Sequence, residues 1–210
     1  MKKIVKFSYI SDKILLERKK VILDELKNHN ILNNTLSLNP NYITGFMDGE
    51  GSFHIHSTQH KTSKFKFMLV PTVTIKQSIY SPDILYEIQT FFKCGRVTQA
   101  PLIKNKLGTS RCLVYTCNSL KDINEKIIPH FLKYPLKTSK LNDFLIFNKI
   151  CQKLSNKENY TIQTLLECVD LFYCMNQNGK FRKRSRLDLY KHVLKLNGES
   201  INFLKDEGIV

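Results

Sequence analysis

The sequence predicts an α+β fold, in which helices cover one face of a single four-stranded antiparallel sheet. Two pairs of segments alternate between polar and apolar residues with a period of two, which is typical of strands with one buried face. A helical segment with a capping signal precedes each pair, and the chain after residue 119 is mostly helical. The element order is therefore helix, two strands, helix, two strands, helices.

The first predicted helix covers about residues 40–49. Asn39 is a good N-cap, and Pro40 suits the first helical position. Gly51 is expected to end the helix, because glycine tolerates the left-handed conformation at a helix C-terminus. A strand should begin at Ser52, where the alternating pattern starts.

Three small residues in this helix predict a close contact with another helix. Gly45 and Gly49 are four residues apart and share one face, and Thr44 adds a further small side chain. Glycine inside a helix costs about 1 kcal/mol relative to alanine, so a compensating reason is expected. Small residues at this spacing let two helix backbones approach closely.

The same helix ends with two carboxylates, Asp48 and Glu50. The C-terminal end of a helix is already negative, so two acids there need a positive group for compensation. One carboxylate is expected to accept hydrogen bonds from local backbone N–H groups. The other would then be free to hold a divalent cation such as Mg²⁺, which prefers oxygen ligands. The alternative is an ordinary solvated helix end.

The first hairpin is predicted over residues 53–59 and 64–77. His54, His56, Thr58 and His60 point to one face of its first strand. The histidines could indicate zinc, but a polar strand face explains them better, because a single segment supplies them all. On the second strand, Met68, Val70, Thr72 and Thr74 share one side, and Leu69, Val73 and Ile75 share the other.

A second helix is expected between Ser81, as its N-cap, and Gly95, with Pro82 at its first position. The second hairpin should pair residues 96–103 with 111–117, joined by a basic loop. Ser119 is predicted to cap the next helix, which should break at Tyr134 and Pro135. Further helices are expected over 138–154, with Leu145 among its apolar residues, and over 160–175 and 186–196.

Composition limits the partners and the cellular setting. The 210 residues include 33 Lys and Arg against 18 Asp and Glu, so the net charge of +15 indicates a polyanion such as nucleic acid. The six cysteines form no CxxC pair and indicate reduced intracellular thiols. No apolar run reaches the length of a membrane span, and no signal peptide is evident. The wealth of Lys, Asn, Ile and Phe suggests an AT-rich coding genome, for instance that of an organelle.

The chain divides into three predicted regions. Residues 1–38 form a partly helical N-terminal extension, 39–197 form the main domain, and 198–210 are a tail. The most basic stretch is 178–186, which contains Arg182, Lys183 and Arg184. It is either a solvated loop or a contact with phosphates.

Residues 43–51, ITGFMDGEG, resemble the LAGLIDADG motif of homing endonucleases. Seven of the nine positions are identical or conservative, and small residues replace the two alanines at Thr44 and Gly49. Ser52 and Phe53 also look like the family, and the resemblance extends over about residues 39–196. It implies the αββαββα core of the family, with a curved four-stranded sheet and extra C-terminal helices.

The resemblance also implies an activity. Family members with one motif act as homodimers, so the chain is expected to pair through Gly45, Gly49 and Thr44 and to make a double-strand break in a long, near-palindromic DNA site. It implies Mg²⁺ bound by Glu50, with Asp48 as a further ligand or serving the helix end. Gln77 would help to order water in the active site.

The resemblance implies a basic residue near the scissile phosphate and a DNA-reading surface. The candidate basic residue is Lys137, with Lys133 and Lys140 as alternatives. The outward strand positions would read the DNA bases, and the basic stretch would contact phosphates. The reading positions are Ser52, His54, His56, Thr58, Met68, Val70, Thr72, Thr74, Thr98 and Ala100, and the phosphate contacts are Arg182, Lys183 and Arg184.

Other functions fit the same resemblance. Some family members are maturases that bind intron RNA and assist splicing without cutting. The chain could also be half of a split two-motif enzyme, or a transcription regulator built on the same fold. For an endonuclease or a maturase, we expect the gene to lie in an intron of the mitochondrion or of another organelle.

Overall fold

A computed structural model describes residues 38–101, 103–105, 108–158, 160–178 and 182–199, with single positions 17, 20, 21 and 24. The chain divides into two compact units, Met1–Ser37 and Leu38–Val210. The second unit contains every element discussed below. Most of the expected N-terminal extension and most of the expected tail lie outside the described residues.

Helix α1 spans Pro40–Glu50, and strand β1, Gly51–Gln59, follows it directly. As predicted, the side chain of Asn39 caps the helix by accepting a hydrogen bond of 2.8 Å from the N–H of Asn41. β2, Phe67–Ser78, pairs antiparallel with β1, so that Gly51 lies opposite Ile75 and Gln59 opposite Phe67.

The reason predicted for Gly51 was wrong. Its backbone is extended, with φ −89° and ψ 166°, so no left-handed conformation is needed. A Cβ atom at this position would lie 2.0 Å from the sulfur of Met47 and 2.7 Å from its carbonyl oxygen. Glycine is required because the chain turns from helix to strand directly over the buried Met47.

The sheet follows the predicted fold class. Helix α2 spans Asp83–Phe92, and the next strands are β3, Arg96–Gln99, β4, Ile103–Asn105, β5, Gly108–Ser110, and β6, Cys112–Cys117. β1, β2, β6 and β3 form, in that order, one antiparallel sheet. The basic connection between β3 and β6, expected as a loop, contains the separate hairpin of β4 and β5.

Both predicted boundaries of α2 need revision. Pro82, rather than Ser81, occupies the N-cap position, and no side chain caps this helix end. Lys93 adopts the left-handed conformation at the C-terminus, with φ 50°. Gly95 follows with φ 77°, and a Cβ atom there would lie 2.6 Å from the ring of Tyr115. Gly95 therefore serves both the turn and close packing against β6.

The later helices begin at α3, Leu120–Asp122, which Ser119 caps as predicted by accepting from the N–H of Asp122. A π-helical turn, Ile123–Ile127, leads into α4, Ile128–Lys133. Then follow α5, Lys140–Ser155, α6, Ile162–Tyr173, α7, Met175–Asn178, and α8, Arg186–Asn197. The helix predicted over 160–175 is thus divided near Cys174.

The core lies between the sheet and the helices. The ring of Phe53 on β1 packs at 5.2 to 5.5 Å, between centroids, from Phe131, Phe144 and Phe147. Leu145, expected among the apolar core residues of α5, is 49% exposed. One face of the sheet is therefore filled by helices, while polar side chains occupy much of the other.

The six cysteines are free thiols, in agreement with the sequence. Burial raises the pKa of Cys117 and of Cys168 to about 12, so both thiols stay protonated at neutral pH. Within the described part of the chain, no helix has the length and apolar character to cross a membrane.

His130 should make folding sensitive to acid. Only 7% of its surface is exposed, and burial lowers its pKa from 6.5 to about 4. Below pH 6.5 the unfolded chain binds a proton that the folded chain refuses, so stability falls as pH falls, until the folded state also titrates near pH 4.

The free energy of unfolding of the wild type should fall by up to about 1.4 kcal/mol per pH unit in this range because of His130. We expect His130→Phe to lack this fall. Urea unfolding of both proteins across this range measures it. Near neutral pH the residue is uncharged in both states, so the difference there reports packing alone. Parallel curves at all pH values would contradict the assignment.

Candidate active site and nucleic-acid surface

Helix α1 has one buried face and one open face. Ile43 and Met47 are fully buried, and Thr44 is only 6% exposed. The hydroxyl of Thr44 donates to the carbonyl oxygen of Tyr134 at 3.0 Å and lies 3.3 Å from Nε2 of His130. Thr44 therefore faces the interior of its own chain, which corrects its predicted place on a surface that pairs with a second copy.

The two glycines lie on the open face. Gly45 and Gly49 are exposed, and a Cβ atom at either position would meet nothing within 4 Å. Tyr42 is 52% exposed, and its ring stacks on Phe46, with 6.1 Å between centroids. Spacings of three and four residues place these four on one side of the helix. We call Tyr42, Gly45, Phe46 and Gly49 the glycine face.

Asp48 ties the end of α1 to the segment before α5. One carboxylate oxygen accepts from the N–H of Lys137 at 2.7 Å, and the other accepts from the hydroxyl of Thr138 at 2.8 Å. The expectation that one acid accepts from local backbone N–H groups was wrong, because the N–H that Asp48 accepts from belongs to Lys137, a residue distant in sequence. Since both oxygens of Asp48 are engaged, its predicted role as a metal ligand stays a prediction.

Lys140 supplies the positive charge that the end of α1 requires. Its ammonium group donates to the carbonyl oxygens of Met47, Asp48 and Gly51 at 2.8, 2.9 and 2.5 Å. Burial lowers the pKa of Lys140, while the nearby carboxylates of Asp48 and Glu50 oppose that shift. From the sequence, Lys140 was only an alternative catalytic lysine. Its capping role was not predicted, because Lys140 is distant in sequence from the end of α1.

Glu50 is the acid that remains open. It is exposed, and it makes no hydrogen bond or ion pair with any other described residue. Among the described residues, no group of three or more His, Cys, Asp or Glu is placed to hold a metal ion. One chain thus contributes a single accessible carboxylate at this position.

The other predicted catalytic residues surround the end of α1. Gln77 lies two residues beyond Ile75, the β2 partner of Gly51, and its side-chain oxygen accepts from the N–H of Ser78 at 2.8 Å. Lys137 is held beside Asp48 through its backbone, and its side chain is exposed. Lys133 is also exposed, with its ammonium group 5.5 Å from the ring centre of Tyr134.

The outward face of the sheet carries most of the predicted DNA-reading positions. Two of them are too buried to contact a ligand: Thr72 is 3% exposed, and Ala100 is 8% exposed beyond the end of β3. The others are exposed or half-buried: Ser52, His54, His56, Thr58, Met68, Val70, Thr74 and Thr98. The alternating pattern correctly predicted which face of the sheet these side chains lie on. It did not predict that Thr72 would be buried on that face.

His54 and His56 lie beside each other, with 3.0 Å between their Nε2 atoms and the rings edge to face. Burial, and then the charges of His56 and Lys76, lower the pKa of His54 to about 4. His54 is therefore neutral at physiological pH. The pair presents hydrogen-bonding groups on the open face of the sheet.

The described residues of the basic stretch differ in their surroundings. The guanidinium group of Arg182 lies 3.8 Å from the ring centre of Phe172 and donates to the carbonyl oxygen of that residue. Lys183 and Arg184 are exposed. Residues 179–181 lie outside the described residues. Arg182 is thus held against its own chain, and the predicted phosphate contacts of Arg182, Lys183 and Arg184 stay predictions.

The family profile described as LAGLIDADG endonuclease matches residues 43–151, just over half of the chain. This chain belongs to the LAGLIDADG endonuclease family. The match includes α1 with both of its carboxylates, the four-stranded sheet and most of α5. Endonucleases of this family are metal-dependent.

Three relatives illustrate the similarity. Probable intron-encoded endonuclease 3 of Neurospora crassa is 30% identical over 73% of this chain and 27% of its own length. The LAGLIDADG homing endonuclease I-GzeII, solved in complex with its DNA target, is 36% identical, with a TM-score of 0.57, over 67% of this chain and 46% of its own. The homing endonuclease I-TnaI shares the fold, with 23% identity and a TM-score of 0.62, over 78% of this chain and 98% of its own.

These shares of length differ greatly. The chain spans about a quarter of the Neurospora protein and just under half of I-GzeII, but nearly all of I-TnaI. The family profile confirms the predicted family, and the similarity to the two solved structures confirms the predicted fold class.

We expect Lys140→Met to lower the free energy of unfolding by about 2 kcal/mol, because three carbonyl oxygens and a helix end lose their cation. Chemical denaturation measures the change. Lys149→Met is the matched control, since Lys149 is exposed on the same helix, and its replacement should stay within about 0.5 kcal/mol of wild type. Equal stability of the two variants would show that the ammonium contacts do not hold α1.

Proposed function

We propose that this chain is a site-specific homing endonuclease that makes a double-strand break in DNA by metal-dependent hydrolysis of phosphodiester bonds. The observation that carries the proposal is the open carboxylate of Glu50, at the end of the family's motif helix. The hydrogen bonds of Asp48 and Lys140 hold this helix end, while Glu50 itself extends into solvent. Relatives described as endonucleases and as a DNA complex support it.

The proposed active form is a homodimer. One chain presents one open carboxylate at the end of α1, whereas two strands of DNA must be cut. Gly45 and Gly49 are exposed, and a Cβ atom at either position would meet nothing within 4 Å, which leaves room for a second helix. Two α1 helices that pair through this face around a two-fold axis would bring two Glu50 side chains next to each other.

The proposed cofactor is Mg²⁺, and the residues present fit it. Mg²⁺ prefers carboxylate oxygens and retains several waters, so one Glu50 from each chain is a sufficient protein contribution. When bound, the ion would lower the pKa of a water molecule and stabilise the leaving oxygen. Asp48 contributes by fixing the helix end, rather than as the principal ligand.

The neighbouring residues have positioning roles in this proposal. Gln77, at the end of β2 beside α1, holds water near Glu50. Lys137 extends an exposed ammonium group from the segment that Asp48 anchors, where it would face the scissile phosphate. Because Lys140 is engaged by three carbonyl oxygens, Lys137 is the better candidate of the two.

The open face of the sheet is proposed to read the target. A ribbon of strands fits the major groove of DNA, and polar side chains on β1 can then contact base edges. The net charge of +15 supports binding to the phosphate backbone. Homology to intron-encoded fungal proteins supports an organelle intron as the source of the gene.

A second candidate is one half of an assembly made with a different chain. The match to just under half of I-GzeII is compatible with it, because a different chain could supply the other half. The open glycine face of α1 favours an assembly of identical chains. Identical chains require a near-palindromic target, whereas different chains permit an asymmetric one.

We expect Glu50→Gln to abolish cleavage, with a rate at least about 100-fold lower, while DNA binding and the unfolding free energy stay close to wild type. Glu50 is exposed and makes no contact that the fold depends on. A partly palindromic duplex library incubated with Mg²⁺ and then sequenced at its cut ends measures cleavage.

Glu87→Gln is the matched control, because Glu87 is an exposed acid on α2, away from the end of α1. This variant should cut like wild type. Cleavage that persists in Glu50→Gln would exclude the proposed metal ligand, and absence of cutting by the wild type would favour the assembly with a different chain.

A further inference from the structure

A cavity of about 740 Å³ lies along the outer edge of β1, apart from the end of α1. β1 is an edge strand of the sheet, and the cavity separates it from the end of α6, the segment 182–184 and α8. His56 and Gln59 of β1 and His192 of α8 line it, as do Arg182 and Arg184. No carboxylate is among the described residues that line this β1-edge cavity.

Arg182 forms a fixed positive wall of the β1-edge cavity. Its guanidinium group is stacked on Phe172, and its buried Nε atom has no hydrogen-bond partner among the described residues. Burial lowers the pKa of Arg182, and the neighbouring Tyr173 opposes that shift. A cation taken partly out of water without a counter-ion is unfavourable unless an anion compensates it.

The nearby acids are committed elsewhere. Asp170 accepts hydrogen bonds from Arg186, at 3.1 Å, and from the hydroxyl of Tyr190. Asp188 accepts from the hydroxyl and the N–H of Ser185 in the capping box of α8. Asp188 also interacts electrostatically with Arg184, but no acid is among the described residues that line the cavity.

The cavity also offers neutral donors. The side-chain amide of Gln59 lies 2.8 Å from Nε2 of His192 and can donate to it. When Nε2 accepts that bond, the neutral ring carries its proton on Nδ1 and can donate from there. Lys183 and Arg184 are exposed on the same wall. Several donors and cations without an acid match a phosphate group.

We propose that the β1-edge cavity holds a backbone phosphate of the DNA target, at a distance from the cut. This inference rests on the proposed DNA target. His56 and Thr58 line the cavity and also belong to the outward face of β1, so a duplex lying on that face would pass the cavity. The site would anchor the flank of the target without reading its bases.

The position of the phosphate follows from strand geometry. A strand advances about 3.3 Å per residue, so residues 56–59 lie roughly 20–30 Å along β1 from Glu50. DNA advances about 3.4 Å per base pair, which corresponds to about 6–9 base pairs. The cavity of each chain in a dimer would therefore hold a phosphate at one end of the target.

Arg184→Gln tests the proposal, because Arg184 is exposed and its replacement leaves the packed Arg182 in place. We expect weaker binding of a labelled duplex of arbitrary sequence, and a fall of about one in the slope of log affinity against log salt concentration. Fluorescence anisotropy over a range of KCl concentrations measures this. Lys149→Gln removes an equal charge from α5, outside the cavity, and should leave the slope unchanged.

A second measurement uses inorganic phosphate and the protein without DNA. At constant ionic strength, phosphate should shift the imidazole NMR signals of His56 and His192, but not that of the buried His130, and Arg184→Gln should weaken the response. An unchanged salt slope in Arg184→Gln, or unmoved His56 and His192 signals, would overturn the proposal. A changed slope in a protein that cuts no DNA would support the phosphate site and contradict the nuclease.

Discussion

Lys140 reaches from α5 to the end of α1 and donates hydrogen bonds to the carbonyl oxygens of Met47 and Asp48 in α1 and of Gly51 at the start of β1. The end of a helix is negative, and Asp48 and Glu50 add two further negative charges. The partly buried ammonium group balances this negative charge, and the carboxylate of Asp48 holds the segment that leads to Lys140. The rest of the structure depends on this connection, because it fixes the point at which α1 ends and β1 begins.

The two faces of α1 have different surroundings. Ile43 and Met47 enter the core, and Gly51 turns over Met47 in a space that excludes a side chain. The glycine face is left open, and Glu50 extends from it into solvent. The same helix thus combines attachment to its own chain, a surface suited to a second helix, and an accessible acid. The β1-edge cavity lies at the far end of the strand that this helix leads into.

The sequence predicted what local chemistry determines. The caps at Asn39 and Ser119 and the alternation of β1 and β2 are local signals, and the structure has them. Contacts between distant segments were not predictable: the long side chain of Lys140, the coverage of Thr72 and the stacking of Arg182 on Phe172 each need the folded chain. Gly51 was placed correctly for the wrong reason, since one sequence does not show whether a glycine supplies a backbone angle or space.

The central claim is that two identical chains each supply one Glu50 to a shared centre. A mixed dimer tests it most directly: a wild-type chain and a Glu50→Gln chain, carrying different affinity tags, are co-expressed and purified through both tags. On a supercoiled plasmid with a site that the wild-type protein cuts, we expect nicked circles from the mixed dimer and linear DNA from the wild type. Linear DNA from the mixed dimer, or failure to recover any doubly tagged protein, would contradict it.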